Sequence, residues 1–275
     1  VLCGGWTANV DNPIGDCGYA QTVGSSITEA LTAQGAAHGF TVQAIDGVEF
    51  GGQNAGNCAP PSAAALANVT AASATADLII MALGEGPEAE TGGDLNELDL
   101  GQAQQTLFAT AHAAKRQTTD IITVLVEARP RLLGEMVPKE SSAILMAYLP
   151  CLHGGQAIAE TLMGDHNPSG RLPFTYPQFS GDLTVYFHKP WNFNFDGGGS
   201  GSPGQPLFPF GHGLSYSRVS YSGLSLSHSS LDAMTTPSVN VSVEVTNHGT
   251  RDLNQSVLVF VRQRFRSAIS PEVQM

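Results

Sequence analysis

Positive charge is the scarcest commodity in this sequence. Its 275 residues carry 12 Lys and Arg against 24 Asp and Glu, a net charge of −12. Nucleic acid is excluded as a partner on that ground, because neutralising a phosphate backbone takes a basic face. Charge of either sign is sparse, at 13% of residues, about half the usual share. Long coiled coils and charged disordered tails are therefore excluded as well. No apolar run approaches the roughly 18 residues of a membrane helix. The longest, Ile79–Leu83 and Ile121–Val126, are strand-sized, so no membrane span is expected. Cys3, Cys17, Cys58 and Cys151 form no CxxC pair, which excludes a zinc ribbon or a dithiol redox motif. Spacing does not rank their pairings. No charged start followed by an apolar stretch marks a signal peptide. The sequence opens on Val1 and stops abruptly at Met275, and it is expected to be a piece of a longer protein.

Apolar residues make up 42% of the chain, enough for a sizeable core in one or two domains. Loops should be abundant, with 31 Gly and 16 Pro. Sequons stand at Asn68, Asn240 and Asn254, whereas Pro168 blocks the one at Asn167. With the low basic content they lean towards an extracellular, cell-wall or vacuolar location.

Up to about residue 190, helical and strand-like periodicities alternate. Thr22–Gly35, Ala63–Ala74, Asp99–Lys115 and Gly155–Met163 read as helices. The last is stopped by Gly164 and Pro168. Phe40–Ile45 alternates like a short strand, and Ala76–Leu83, Asp120–Val126 and Ala143–Tyr148 are continuous apolar runs, as buried parallel strands are. The expected architecture is an α/β sandwich with a mostly parallel sheet and helices on its faces. After the Gly-rich stretch Asp196–Gly204 the pattern changes. Tyr216–Leu226 and Ser238–Thr246 alternate with period 2, Asn247–Thr250 is a turn, and Gln255–Arg262 is a further strand. This segment reads as an incomplete all-β sandwich of immunoglobulin or fibronectin III-like type. The expected division is residues 1–190 for the α/β unit, 191–214 for a Gly-rich linker and 215–275 for the partial β unit.

The loop Gly84–Asp94 follows a buried strand and gathers Glu85, Glu88, Glu90 and Asp94. Ligands in open α/β sheets sit at the carboxyl ends of strands. A partly desolvated carboxyl there has a raised pKa, suited to a general acid. The same residues also fit a solvated acidic loop or a cation site. A dinucleotide loop is excluded, since these glutamates would face a pyrophosphate with like charge. No Ser-His-Asp set and no HxxxH pair occurs. Trp6 lies in Gly-rich sequence, where an exposed ring can stack on a sugar face or simply pack locally.

Several segments, in order, resemble the C-terminal part of family 3 glycoside hydrolases, the β-glucosidases and exo-β-glucanases. They are Cys3-Gly-Gly-Trp-Thr7; Ala82-Leu-Gly-Glu-Gly-Pro-Glu-Ala-Glu-Thr-Gly-Gly-Asp94; Ala128-Arg-Pro130; Gly164-Asp-His-Asn-Pro-Ser-Gly-Arg-Leu-Pro173; and Pro206-Leu-Phe-Pro-Phe-Gly-His-Gly-Leu-Ser-Tyr216. The resemblance implies a preceding (β/α)8 barrel, not contained in this chain, that carries a nucleophilic Asp. It implies that Glu90 is the acid/base, that Trp6 lies near the sugar, and that no metal or organic cofactor is needed. The implied substrate is a β-glucoside or β-glucan oligosaccharide. Two positions depart from the family pattern. Glu88 stands where Tyr is usual, and Val10 where one branch of the family has a second Trp. Arg129 and Arg171 match family motifs but are assigned to structure, because they stand at strand ends and turns. The resulting expectation is part of a retaining, exo-acting β-glucosidase, inactive without its barrel. The alternatives are a non-catalytic carbohydrate-binding or cell-wall scaffold, or a family 3 enzyme of different specificity, such as a xylosidase or N-acetylhexosaminidase.

Overall fold

A computed structural model of the chain describes residues 25–48, 59–85, 94–151, 153–180, 206–232, 234–235, 238–263, 265 and 273–275. Trp6, Glu88, Glu90 and the stretch Asp196–Gly204 lie outside the described residues.

Three parallel strands, β1 (Leu78–Gly84), β2 (Asp120–Val126) and β3 (Ala143–Met146), pair in the order β1-β2-β3. The register runs without interruption from Leu78 opposite Asp120 to Gly84 opposite Val126. Period 2 sends alternate side chains to opposite faces. Met81, Leu83, Ile121 and Leu125 pack with Val69 of helix α2 (Ala63–Thr75), with Leu107, Phe108 and Ala111 of helix α3 (Gln102–Ala114), and with Val137 of helix α4 (Met136–Glu140). Val124 and Val126 face the other way. They meet Ile27, Ala30 and Leu31 of helix α1 (Ile27–His38) and Ile158 and Ala159 of helix α5 (Gly154–Met163). The sheet is thus covered on both sides, which is why its strands read as unbroken apolar runs.

Helix ends follow local chemistry. Helix α1 starts at Ile27, later than its periodicity alone predicts, because Ser26 and Glu29 form a reciprocal capping box. It ends at Gly39 in the left-handed conformation. Helix α5 begins against α1 so closely that a Cβ on Gly155 would lie 2.2 Å from the Ser25 carbonyl oxygen; only glycine allows that approach. Helix α4 has no counterpart in the periodicity, since five residues containing Pro138 are too short to show one.

Two strand expectations need correction. Among the described residues Phe40–Ile45 joins no ladder. Its alternation reflects packing instead: Val42 lies against one apolar cluster, and Ile45 and Val48 against the other. Of Gln255–Arg262 only Val261–Arg262 (β6) is paired among the described residues, with Val273–Gln274 (β7). Strands β4 (Val219–Leu226) and β5 (Val241–Asn247) form an antiparallel pair with an irregularity between Ser222 and Ser225. Leu224, Leu226, Val241 and Val245 on this pair are exposed.

Residues 206–214, at the end of the expected linker, bond to the segment that follows α5. The Leu172 amide donates to the His212 carbonyl, the Gly211 amide to the Leu172 carbonyl and the Tyr176 amide to the Phe208 carbonyl, each at 2.8 Å. Asn167 ties in the β4–β5 pair: its amide donates to the Asp252 carbonyl at 2.8 Å and accepts from Ser215 and the Tyr216 amide. Arg251 reaches back to the Gly164 carbonyl at the end of α5. Arg171 donates to Gln255 at 3.1 Å. No helix among the described residues is long and apolar enough to cross a membrane.

Candidate functional site

The chemistry-bearing residues collect where β1 and β2 end side by side. Beyond Gly84 the ladder continues one step, with the Glu85 amide donating to the Val126 carbonyl at 3.0 Å. Gly84 itself has φ +149°, and a Cβ there would lie 1.9 Å from the Val126 oxygen, so no other residue fits. Its two peptide groups are read by one side chain. Gln104 of α3 accepts from the Gly84 amide at 2.8 Å and donates to the Gly84 carbonyl at 2.6 Å and to the Leu100 carbonyl at 3.0 Å.

Glu85 is buried, and its carboxylate is encircled by donors. Oε1 accepts from the Ala128 amide at 2.8 Å and from the Arg129 amide and Nε at 3.3 Å each. Oε2 faces Arg131 Nη1 at 3.3 Å. Arg131 is buried as well, and its other terminal nitrogen donates to the Asp99 carbonyl. The backbone of Leu132 bonds Leu98 at 2.8 Å and Leu100 at 2.9 Å. One short segment, 128–132, therefore grips both the departing end of the acidic loop, at Glu85, and its returning end, at 98–100. The loop is a closed stem whatever its tip does, and the stem sits at the carboxyl edge of the parallel sheet, where such folds bind ligands.

A second carboxyl lies behind the first. Glu127 is fully buried, and burial, reinforced by the neighbouring Glu85 charge, pushes its pKa up to about 8. Tyr176 Oη lies 2.7 Å from Glu127 Oε1 and 2.8 Å from the Arg131 carbonyl oxygen. Burial raises the pKa of that phenol above its ordinary value, so Tyr176 stays protonated. The Tyr176 ring continues an aromatic row with Phe174, Tyr148 and Phe208.

The sequence pattern treats Glu85 as one of several interchangeable loop acids. That is corrected: its charge is neutralised by two arginines, so it is neither solvated nor free to bind a cation. Arg129, assigned to structure by its strand-end position, holds this carboxylate. Asp94 is exposed at the far end of the loop. Gln104, Glu127, Arg131 and Tyr176 escaped sequence reasoning. The available signals were a polar residue on the buried stripe of α3 and a Glu placed directly after an apolar strand.

The family model for the glycosyl hydrolase family 3 C-terminal domain matches residues 1–216. The chain belongs to this family. Among curated relatives, a lysosomal β-glucosidase of Dictyostelium discoideum is 32% identical over 293 aligned positions, spanning all of this chain and 32% of the relative. A β-xylosidase of Formosa agariphila is 33% identical over 205 positions, 71% of this chain and 27% of the relative. The chain thus spans about a third of these family 3 proteins. In three dimensions it is similar to a β-glucosidase of Erythrobacter marinus, with a TM-score of 0.71 and 28% identity over 94% of this chain and 36% of that one.

Proposed function

We propose that this chain is the acid/base-bearing part of a retaining, exo-acting β-glucosidase that removes terminal β-D-glucosyl residues. In a retaining glycosidase two carboxyls stand about 5–5.5 Å apart across the scissile bond. One attacks the anomeric carbon. The other protonates the departing oxygen and later activates water. Glu90, five residues beyond the Glu85 anchor, takes the second role, and Trp6 contacts the sugar. The nucleophile and most remaining sugar contacts come from a (β/α)8 barrel elsewhere in the protein. Residues 1–190 form the family 3 α/β unit, and 215–275 belong to a fibronectin III-like unit. The observation that carries this reading is the double grip of segment 128–132 on the loop. A proton donor has to be held within hydrogen-bond reach of its acceptor, and an anchored stem supplies that constraint.

The test uses the enzyme with its barrel present. Glu90→Ala should slow substrates with poor leaving groups most, since they need protonation of the departing oxygen. Activated aryl glucosides should still form the glycosyl-enzyme and then stall. Azide should restore turnover and yield a β-glycosyl azide, because that anion needs no general base. If Glu88→Ala behaves this way and Glu90→Ala resembles wild type, the role belongs two residues upstream.

The β-xylosidase relative favours a second reading, a xylosidase. The two sugars differ by one hydroxymethyl group, which a pocket distinguishes by contacts in the −1 subsite. Comparing kcat/KM for aryl β-glucosides and β-xylosides decides between them.

A further inference from the structure

The hydroxyl of Tyr176 has two oxygen neighbours and one proton. The Arg131 carbonyl, 2.8 Å away, can only accept. One phenol proton can serve only one of the two contacts, and the bond to the Arg131 carbonyl is made only if Tyr176 gives its proton there. Its contact with Glu127 Oε1, at 2.7 Å, then has no proton unless Glu127 supplies it. We propose that Glu127 is a neutral carboxylic acid that donates to Tyr176, and that the chain Glu127–Tyr176–Arg131 positions the arginine that grips Glu85 at the root of the acidic loop.

Independent observations agree. Glu127 Oε2 is buried with no hydrogen-bond partner among the described residues. A bare carbonyl oxygen of a neutral acid is tolerable there, whereas a bare carboxylate oxygen is far more costly. The charged and titratable groups facing Glu127 are Glu85 after β1, Arg131 after β2, Tyr148 after β3 and Tyr176 beyond α5. Arg131 is the one cation among them; its Nη1 and Nη2 are committed to Glu85 and the Asp99 carbonyl, and its buried Nε makes no hydrogen bond to Glu127 or to any other group among the described residues. Buried Glu85 pairs with the buried cation Arg131, and Arg129, the other arginine on Glu85, is 28% exposed and reached by solvent, so no buried cation is left over for Glu127 to pair with. The fixed carbonyl of Arg131 holds the residue that reaches both ends of the loop, which makes Glu127 a positioning residue for the loop. That last step rests on the reading that the loop carries the acid/base; the protonation state of Glu127 does not.

The sign of the pH dependence follows directly. In the unfolded chain Glu127 ionises near its ordinary value of 4.5, and in the folded chain near 8. Between these values the folded state binds one more proton, so rising pH favours unfolding. The stability that the proton confers is complete below the lower value and gone above the upper one. Glu127→Gln cannot ionise, yet its amide still donates to Tyr176. Urea unfolding of the full chain, wild type and Glu127→Gln, is measured from about pH 5 to about pH 9. The ratio of the two unfolding constants cancels all other titrations. The wild-type constant should rise relative to the variant's by up to roughly tenfold per pH unit, and level off above about pH 8. A flat or falling ratio overturns the neutral acid. If Glu127→Gln does not fold, infrared spectra of the wild type decide. A protonated-carboxyl band should persist near neutral pH, disappear at alkaline pH, and shift in Tyr176→Phe; its absence overturns the proposal. In the barrel-bearing enzyme Glu127→Leu should lower kcat by roughly tenfold while Glu127→Gln restores it. An unchanged kcat in Glu127→Leu removes the positioning role. The unfolding measurement involves no sugar, so failure of the Glu90 assignment leaves it untouched, and its own failure leaves Glu90 untouched.

Discussion

Removing the Glu85 carboxylate should unfasten the stem of the acidic loop and destabilise the whole α/β unit. The carboxylate receives the Ala128 and Arg129 amides and two guanidinium groups, and its side chain is 0% exposed. In Glu85→Ala the side chain of Arg131, only 3% exposed, loses the carboxylate it pairs with, and the nearby Glu127 is held against ionisation by its burial. Breaking one partner of such a pair costs about 3–5 kcal/mol. The stranded Ala128 amide adds to that, although the two effects overlap because the loop can relax. For a folded body of this size each kcal/mol lowers Tm by about 2–4 °C. The expected fall is therefore about 6–20 °C, read by circular dichroism on heating the full chain. Glu85→Gln keeps one acceptor oxygen for the Ala128 amide but loses the charge, and should show about half the effect, as hydrogen bonds to ionised groups are about twice as strong as neutral ones. The fall should be nearly the same in high salt, since a buried pair is poorly screened. A Tm within about 2 °C of wild type for Glu85→Ala would refute the reasoning, because a decorative surface glutamate costs about 0.5 kcal/mol or less.

Other substitutions probe the same edge and the core behind it. Gly84→Ala forces a Cβ against the Val126 carbonyl at φ +149° and should cost about 3–5 kcal/mol in urea unfolding. Gln104→Leu leaves the Gly84 amide, the Gly84 carbonyl and the Leu100 carbonyl unsatisfied, and should cost about 2–3 kcal/mol with no change of fold by far-ultraviolet circular dichroism. Phe108→Ala empties a fully buried site in the α3 face and should cost about 3–5 kcal/mol in the same assay.

The layered α/β architecture could be read without coordinates because two local rules carry it. A strand covered on both faces is mostly apolar, and β1 and β2 are, with Thr123 the one polar side chain inside β2. A helix needs a cap and a stop, and Ser26, Gly39 and Gly164 provide them near the ends that periodicity predicts. Order and spacing of short motifs likewise sufficed to place the chain in its family, since such matches need no three-dimensional knowledge. Where local pattern was ambiguous, packing chose. Phe40–Ile45 alternates as a strand would, yet its residues are shared between two apolar clusters and pair with no neighbour among the described residues. The chemistry of the acids was wholly a tertiary matter. Glu85, Glu88, Glu90 and Asp94 look alike in a row, because a carboxyl's charge state depends on what surrounds it rather than on its sequence neighbours. Only the parallel register, which brings residue 85 beside residues 126–131 across more than forty positions of chain, converts Glu85 into a buried anchor. The same register, with Tyr176 arriving from beyond α5, places Glu127 in a pocket that disfavours its ionisation. Desolvation and pairing act through distance, and distance between residues far apart in the chain is decided by folding alone.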